Sequence, residues 1–385
     1  MGSVNHLTRT AIALPETLDL TSCPSDVTSS SCFSRYSEGL IPVKFLPTFL
    51  FRVVAAALCV SSIALLAGCN RGRGHVLEVA YVSGVQVNLR DRVAAAYEKV
   101  GVVKNGDRVE VLDHDRRFVK VRTATGVTGW MEQRYLVSQD VFDQLQRLTK
   151  ENANDPVQGQ ATARNDTNLH VEPGRDTEHL YQISLGEKVS LLKRGTAEKP
   201  GAVMAPRPGE KKDAKKEPVP VIEDWWLVRD SHGRVGWVLG RMIDLDVPLE
   251  VAQYAEGQRI VAYFVLNQVQ DGEKKVAQYL TIVTEPKDGL PFDFNQIRVF
   301  TWNVKRHRYE TAYRERMEGV LPVTVSQENF DKEGVLPVFV IRVRDDNGNI
   351  TERKYKLNTP IVRRVYAPGE ELVRAVPKRA ARRRR

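Results

Sequence analysis

The sequence predicts a mainly β chain: two small barrels joined by a short helix, followed by a β-sandwich or barrel domain. Three observations lead to this prediction. One block of residues recurs later in the chain in the same order, short β-branched and aromatic runs end at turn residues, and helical periodicity is confined to two short segments. At 385 residues the chain is long enough for two or three domains.

The N-terminal segment contains an uncharged apolar run from Val53 to Gly68, preceded by the basic residues Lys44 and Arg52. This run is shorter than the roughly 20 residues that a membrane-spanning helix needs. A basic region, a short apolar run and small residues at its end are typical of a secretory signal peptide. We therefore expect the rest of the chain to be exported.

The apolar run ends in Leu66-Ala67-Gly68-Cys69, which resembles the lipobox of bacterial lipoproteins. The resemblance implies that a diacylglycerol is attached to the Cys69 thiol, and that this residue becomes an acylated N-terminus carrying chains such as palmitate. Several acyl chains give stable membrane attachment. Asn70 is not the aspartate associated with inner-membrane retention, which favours the periplasmic face of the outer membrane. The alternative is a buried helix that happens to end in Gly-Cys.

The segments at the two chain ends are assigned from their composition. Residues 1–68 are read as an extension plus the signal peptide, with the hypothesis that translation starts at Val43, and residues 69–82 as a tether. Residues 368–385 are expected to be a disordered basic tail, which holds six of the nine net positive charges in its last eight residues. This tail either touches anionic lipid or polymer, or only improves solubility. An exported tail meets no genome, so nucleic-acid binding is not expected.

Several kinds of catalytic and metal site are excluded by residue usage. The four cysteines are Cys23, Cys32, Cys59 and Cys69, so the later residues hold no disulfide, thiolate metal site or cysteine nucleophile. No paired-histidine metal motif, phosphate-binding loop or Gly-x-Ser-x-Gly elbow occurs. The run "DDNGN" at 345–349 has Lys356 where a calcium loop needs glutamate. We therefore predict no catalytic residue, metal or cofactor.

The repeat is visible at two places in the chain. Asn88-Leu89 matches Asn168-Leu169, and Gly106 matches Gly186, both at an offset of 80 residues. Further on, Gly129-Trp130 matches Gly236-Trp237 at an offset of 107, which places a 27-residue insertion in the second copy. Short strands at this spacing predict a small barrel in each copy.

This order of motifs resembles the bacterial SH3 (SH3b) domain, over residues 83–138 and again over 160–245. The first copy is the closer match, because the second has His170 in place of the arginine of the motif and carries the insertion. Residues 193–223 contain five prolines and many charges, so we expect them to be disordered. A basic arm that contacts an anionic partner is the alternative for this segment.

The segments around the second copy are assigned from periodicity. Residues 139–159 are expected to form a linker helix capped by Ser138, with Val141, Phe142, Leu145 and Leu148 on one face. Residues 246–367 read as a β-rich domain that opens with a short helix, with Asp246 at its cap, Pro248 in its first turn and Gly257 at its end. Asn347-Gly348 predicts a hairpin within this domain.

The SH3 resemblance implies a ligand groove lined by aromatic residues. Strand alternation places Phe118 and Trp225 outward and makes Val119, Val121, Trp226 and Val228 core residues. Arg90 and Glu110 are expected to make structural polar contacts. The candidate groove residues are Tyr97, Phe118, Trp130, Tyr135, Tyr181, Trp225 and Trp237, and core packing is the alternative for each of them.

These observations predict a non-enzymatic protein of the cell envelope, attached to the membrane through Cys69. Its SH3b domains are expected to bind peptidoglycan peptides or a periplasmic protein. Two alternatives stay open: a periplasmic scaffold or assembly factor without wall contact, and an enzyme whose site lies in residues 258–367.

Overall fold

The computed structural model describes residues 75–93, 98–203, 219–345 and 347–366. Cys69, Val43 and the basic tail lie outside these ranges. The mainly β prediction is confirmed, because the described residues form three antiparallel seven-stranded sheets and two helices. Neither helix is long and apolar enough to cross a bilayer.

The first repeat folds as one sheet wrapped around a small core. Alternate side chains point inward along its strands, so that Leu89, Val111, Val119 and Val121 are fully buried. Its strands are β1 (Glu78–Val82), β2 (Gln86–Arg90), β3 (Lys99–Lys104), β4 (Arg108–Asp115), β5 (Phe118–Thr123), β6 (Thr128–Glu132) and β7 (Leu136–Ser138), in the order β3-β2-β6-β5-β4-β1-β7.

The second repeat reproduces this strand order. Its order β10-β9-β13-β12-β11-β8-β14 places each strand where its counterpart lies in the first repeat. Gly106 and Gly186 have φ values of 83° and 81°, so the matched glycines form equivalent turns in the left-handed region. The strands are β8 (Gly159–Ala163), β9 (Thr167–His170), β10 (His179–Ile183), β11 (Lys188–Val203), β12 (Pro220–Arg229), β13 (Val235–Leu239) and β14 (Ile243–Leu245).

Much of the insertion in the second repeat is ordered. Strands β11 and β12 pair beyond the part of the sheet that the two repeats share, with Glu198 opposite Ile222 and Val203 opposite Pro220. The expectation of disorder is therefore wrong for residues 193–203 and 220–223. Antiparallel pairing satisfies their backbone groups, a stabilisation that does not depend on apolar composition. Residues 204–218, with the basic "KKDAKK" run, lie outside the described part of the chain.

The linker helix is present as α1 (Gln139–Glu151), which ends eight residues before the predicted limit at 159, and its four predicted apolar residues face the core. Phe142 stacks on Tyr81 of the first repeat, with ring centroids 4.1 Å apart and planes 3° from parallel. Ser138 occupies the N-cap position, but its side chain donates and accepts no capping hydrogen bond. The helix therefore begins where predicted and is held mainly by packing.

The C-terminal strands form one antiparallel sheet in sequence order. Strand β18 is the longest of the sheet and has a register break between Val320 and Thr324. The predicted hairpin at Asn347-Gly348 joins β19 and β20. The strands are β15 (Arg259–Asp271), β16 (Lys274–Thr284), β17 (Phe294–Asn303), β18 (Arg308–Asn329), β19 (Val335–Arg344), β20 (Ile350–Asn358) and β21 (Ile361–Val365).

This sheet curls until its two ends meet through side chains. Thr359, in the turn after β20, donates to the buried Gln278 of β16 at 2.8 Å. Gln327 of β18 donates to the Leu266 carbonyl of β15 at 3.1 Å. No strand ladder closes the ring in the described residues, so the sheet is a curled, sandwich-like layer around one core.

The short helix before this sheet differs from its prediction. Helix α2 spans only Leu249–Ala252, and Pro248 occupies its N-cap position. Asp246 binds elsewhere, because its carboxylate accepts hydrogen bonds from Thr162 and Lys188 at 2.6 Å each. These bonds hold the start of the C-terminal domain against the second repeat.

Candidate functional site: an aromatic cleft in the first repeat and its closed counterpart in the second

Three of the predicted groove residues meet at one cleft in the first repeat. Phe118, Trp130 and Tyr135 line a depression of about 220 Å³, together with Arg90 and Glu132. All five side chains are partly exposed. Three of the seven aromatic residues predicted for a groove thus lie at one surface, and Tyr97 lies outside the described residues.

The strand register brings these rings together. Phe118 pairs with Glu132 and Lys120 pairs with Trp130 across β5 and β6, so their side chains lie on the same face. Tyr135 follows in a short 3-10 turn. Its ring packs against Gly84, where a Cβ atom would lie 3.0 Å from the ring. A glycine at position 84 therefore lets the ring lie flat along this side of the cleft.

Guanidinium groups flank two of the rings. The Cζ atom of Arg134 lies 4.7 Å from the Tyr135 ring centroid, and its Nη2 donates to the Tyr135 hydroxyl at 2.8 Å. The Cζ atom of Arg117 lies 5.3 Å from the Phe118 centroid. Arg134 also pairs with Glu132 at 2.8 Å. Aromatic faces beside exposed arginines suit a ligand that combines apolar surface with carboxylates.

Beside the cleft, the structure shows where the predicted core residues and the two predicted polar residues, Arg90 and Glu110, lie. Val119, Val121, Trp226 and Val228 are buried as predicted. Glu110 accepts a forked pair of hydrogen bonds from Arg122 at 2.7 and 2.9 Å, which is a structural contact between β4 and β5. Arg90 also lines the cleft.

The second repeat does not form an open groove, so its three candidate residues are corrected. Trp225 is only 2% exposed, and its ring lies edge-on to His170 at 5.2 Å. Trp237 packs on Gly195 of the extended strand β11. Tyr181 is buried, with the Arg234 guanidinium 4.3 Å from its ring centroid.

Two segments close the second repeat. The loop at 171–178 brings Pro173 against Gly195 beside Trp237, and Arg175 ties it down through two bonds to Glu223 at 2.6 and 2.7 Å. The end of α1 and the following linker cover the neighbouring face, where Leu148 and Val157 pack on a small cluster formed by Leu192, Leu227 and Val235. Chain segments of the protein itself thus occupy the face that is open in the first repeat.

His170 takes the place that Arg90 has in the first repeat, since each pairs with the matched tryptophan of the repeat. Burial lowers the pKa of His170 to about 4, and the nearby His179 adds to this effect. Its Nδ1 lies 3.0 Å from the Thr177 hydroxyl. The matched position therefore holds a neutral ring where the first repeat holds a cation.

Other clusters of ionisable groups in the described residues have structural partners or are exposed. Glu187, Asp230 and His232 lie close enough together to share an ion. However, Arg234 already donates to Asp230 at 2.6 Å, so a cation is in place there. Glu285 and Glu318 line an open depression of about 460 Å³ in the C-terminal domain. Both side chains are exposed to solvent.

Comparisons with known proteins identify one domain. Residues 84–137 match the bacterial SH3 domain family, so the first repeat is a bacterial SH3 domain. No curated protein matches the chain. Solved structures that match include NlpC2 from Trichomonas vaginalis, at 10% identity and a TM-score of 0.16, over 75% of this chain and 95% of that one. An NlpC/P60 family protein from Bacillus cereus ATCC 10987 matches at 12% identity and a TM-score of 0.21, over 74% and 95% of the two chains. TM-scores this low support no shared activity.

Proposed function

We propose that this protein is a non-enzymatic, lipid-anchored binding protein of the cell envelope, and that the cleft of its first repeat binds peptidoglycan peptides. The observation that carries the proposal is the meeting of Phe118, Trp130 and Tyr135 beside exposed arginines. Aromatic rings supply contact area at low entropic cost, and guanidinium groups bind carboxylates in a fork. Wall peptides offer both apolar methyl groups and carboxylates.

The second repeat has a different role in this proposal. Its strand order matches that of the first repeat, which supports a second SH3b domain over 160–245. Because its aromatic face is covered, we assign it a structural function, joining the binding domain to the C-terminal sheet. The absence of cysteine after Cys69 supports a binding role, since no cysteine nucleophile is available beyond the anchor.

The membrane anchor belongs to the proposal as well. The lipobox resemblance at Leu66–Cys69 supports attachment through a diacylglycerol, at the periplasmic face of the outer membrane. Labelling cells with an alkyne fatty acid tests this attachment. Wild-type protein should take up label and Cys69→Ser should not, whereas equal labelling of both would remove the anchor from the proposal.

Wall binding is tested by sedimentation of residues 73–385, which lack the predicted anchor, with purified insoluble peptidoglycan. We expect retention at low and at physiological salt, lost in the Phe118→Ala/Trp130→Ala double variant. Tyr366→Ala is the matched control, because this exposed aromatic lies outside the cleft. Retention only at low salt would show that binding depends on exposed charges, which salt screens, and not on the aromatic cleft. No retention at either salt would instead favour a periplasmic protein partner and a scaffold role.

A further inference from the structure

A second cavity, of about 410 Å³, lies where the second repeat meets the C-terminal sheet. Its apolar wall comes from both domains: Trp226 and Ile243 on one side, Ile260 and Val261 on the other. Ala252 and Ala255, on and just after α2, line it with small side chains that leave the space open. This volume lies within the range of ligand pockets in proteins, which starts at about 300 Å³.

The floor of the cavity is a buried ionic network that fixes its shape. Asp224, only 3% exposed, accepts hydrogen bonds from Arg194 at 2.6 Å and from Arg259 at 2.8 Å. Burial alone would raise the pKa of Asp224, but the bond from Arg194 and the backbone bond from Gly289 hold it below its usual value. Arg194 reaches further, to Asp293 at 3.1 Å. These floor charges pair with one another, although the Nε of Arg259 is buried without a hydrogen-bond partner among the described residues.

The mouth of the cavity is different, because its charges are exposed and of both signs. Arg164 and Asp244 form an ion pair at 2.7 Å, with side chains that are 54% and 58% exposed. Arg241 is 54% exposed and lies 3.7 Å from Glu223. Asp288, also lining the cavity, is 46% exposed and accepts a hydrogen bond from Arg259 at 2.7 Å. Exposed ion pairs contribute little to stability, so a ligand with the right charges can exchange with them.

We propose that this cavity binds a short zwitterionic peptide. Its terminal carboxylate binds Arg164 and Arg241, its ammonium group binds Asp244 and Asp288, and its small apolar side chains pack on Trp226 and Ile243. Arginine forks match a carboxylate in geometry as well as charge. This site lies at the second repeat, whereas the aromatic cleft lies in the first. Peptide binding here does not depend on wall binding by that cleft.

The experiment is calorimetric titration of residues 73–385 with Ala-Ala-Ala, its C-terminal amide and its N-acetyl derivative. We expect saturable binding of the free tripeptide and at least about tenfold weaker binding of each blocked form, because each lacks one of the two charges. Absence of saturable heat with Ala-Ala-Ala overturns the proposal. Equal affinity for all three peptides overturns it too, since the charges at the mouth would then be irrelevant.

Substitutions at the mouth locate the site. Arg164→Gln and Arg241→Gln should each weaken Ala-Ala-Ala at least about tenfold, and Ala255→Leu should block it by filling the cavity. Arg306→Gln is the matched control, as this arginine is in an exposed ion pair with Glu310 away from the cavity. Unchanged affinity in both arginine variants and in Ala255→Leu, with thermal unfolding showing folded proteins, overturns the proposal. The Phe118→Ala/Trp130→Ala double variant should bind the tripeptide normally, which separates this site from the cleft.

Discussion

The Gln158 side chain joins two domains by bonding both backbone polar groups of Val323 in the C-terminal sheet. The backbone N–H of Val323 donates to Gln158 Oε1 at 2.8 Å, and Gln158 Nε2 donates back to the Val323 carbonyl at 3.2 Å. Neither residue has measurable exposure to solvent. A buried amide that satisfies both backbone groups of its partner fixes how the second repeat meets the sheet.

Gln158→Leu should therefore be destabilising. It keeps the approximate volume but leaves the two backbone groups of Val323 buried without a partner, which lowers the free energy of unfolding by about 1–3 kcal/mol. Gln160→Leu is the matched control, because the Gln160 side chain is exposed and bonds to the Ser190 hydroxyl on the surface. Urea unfolding measures both. Equal losses in the two variants would show that the amide pair does not hold the junction.

Asn105 has a similar role between the two repeats. Its Nδ2 donates to the Leu180 carbonyl at 2.7 Å, and its Oδ1 accepts from the Gln182 N–H at 3.2 Å, so it pairs with the edge strand β10. In Asn105→Ala the Gln182 amide should exchange its hydrogen at least about tenfold faster, because its acceptor is gone. Hydrogen exchange by NMR measures this. An unchanged Gln182 rate, with Leu227 as the internal reference, would contradict the account.

The Arg175–Glu223 pair closes the loop over the second repeat. The Glu223 side chain is 8% exposed, and the hydrogen bond from Arg175 lowers its pKa although burial opposes this. Arg175→Ala should lower the free energy of unfolding by about 1–3 kcal/mol at neutral pH, because a buried carboxylate loses its main partner.

The pH dependence of this effect has a definite sign. A carboxyl group with a lowered folded-state pKa adds stability above its ordinary pKa of 4.5 and loses it as the pH falls through the folded value. The difference in free energy of unfolding between wild type and Arg175→Ala should thus shrink as the pH drops below about 4.5. A gap that stays constant from pH 7 to pH 3 would mean that Arg175 acts through packing and not through charge.

His170 predicts a second pH effect, of the same direction and a different range. Its pKa of about 4 lies below the ordinary histidine value of 6.5, since burial and then His179 disfavour the cation. The unfolded chain therefore takes up the proton first, and stability falls as the pH drops from 6.5 to about 4. His170→Gln should lack this slope in urea unfolding.

Spectroscopy offers a direct check on His170. At pH 5.5 the long-range proton–nitrogen NMR spectrum should show a neutral His170 ring, because the folded-state pKa lies near 4. A ring that is already cationic at pH 5.5 would show that the site is more open to water than its contacts with Trp225 and Thr177 indicate.

The sequence repeat predicted the shared strand order of the two repeats well because its landmarks are local. Asn-Leu strands, a Gly-acidic turn and a Gly-Trp hairpin occupy equivalent places in both sheets. The offsets of 80 and 107 residues also located the insertion. What composition could not show was long-range pairing: the β11–β12 ribbon owes its order to a partner strand and not to apolar content.

The groove of the second repeat was mispredicted because strand alternation says which face a side chain takes and not what covers that face. A signal was nevertheless present. In the first repeat, the strand partners of the cleft residues Trp130 and Phe118 are the charged Lys120 and Glu132. The matched positions of the second repeat hold Leu227 and Leu239. Apolar residues at both matched positions predict a covered face. The closed loop and the linker contacts supply that cover.

In the proposed function, the first repeat binds the wall through its open cleft, and the matched face of the second repeat is closed. The most direct test compares Trp130→Ala with Trp237→Ala, at matched positions, in peptidoglycan sedimentation at physiological salt. The account predicts that Trp130→Ala weakens retention at least about tenfold, as truncation of a binding aromatic does, while Trp237→Ala lowers stability and keeps retention. Full retention by Trp130→Ala, or equal losses in both variants, would contradict it.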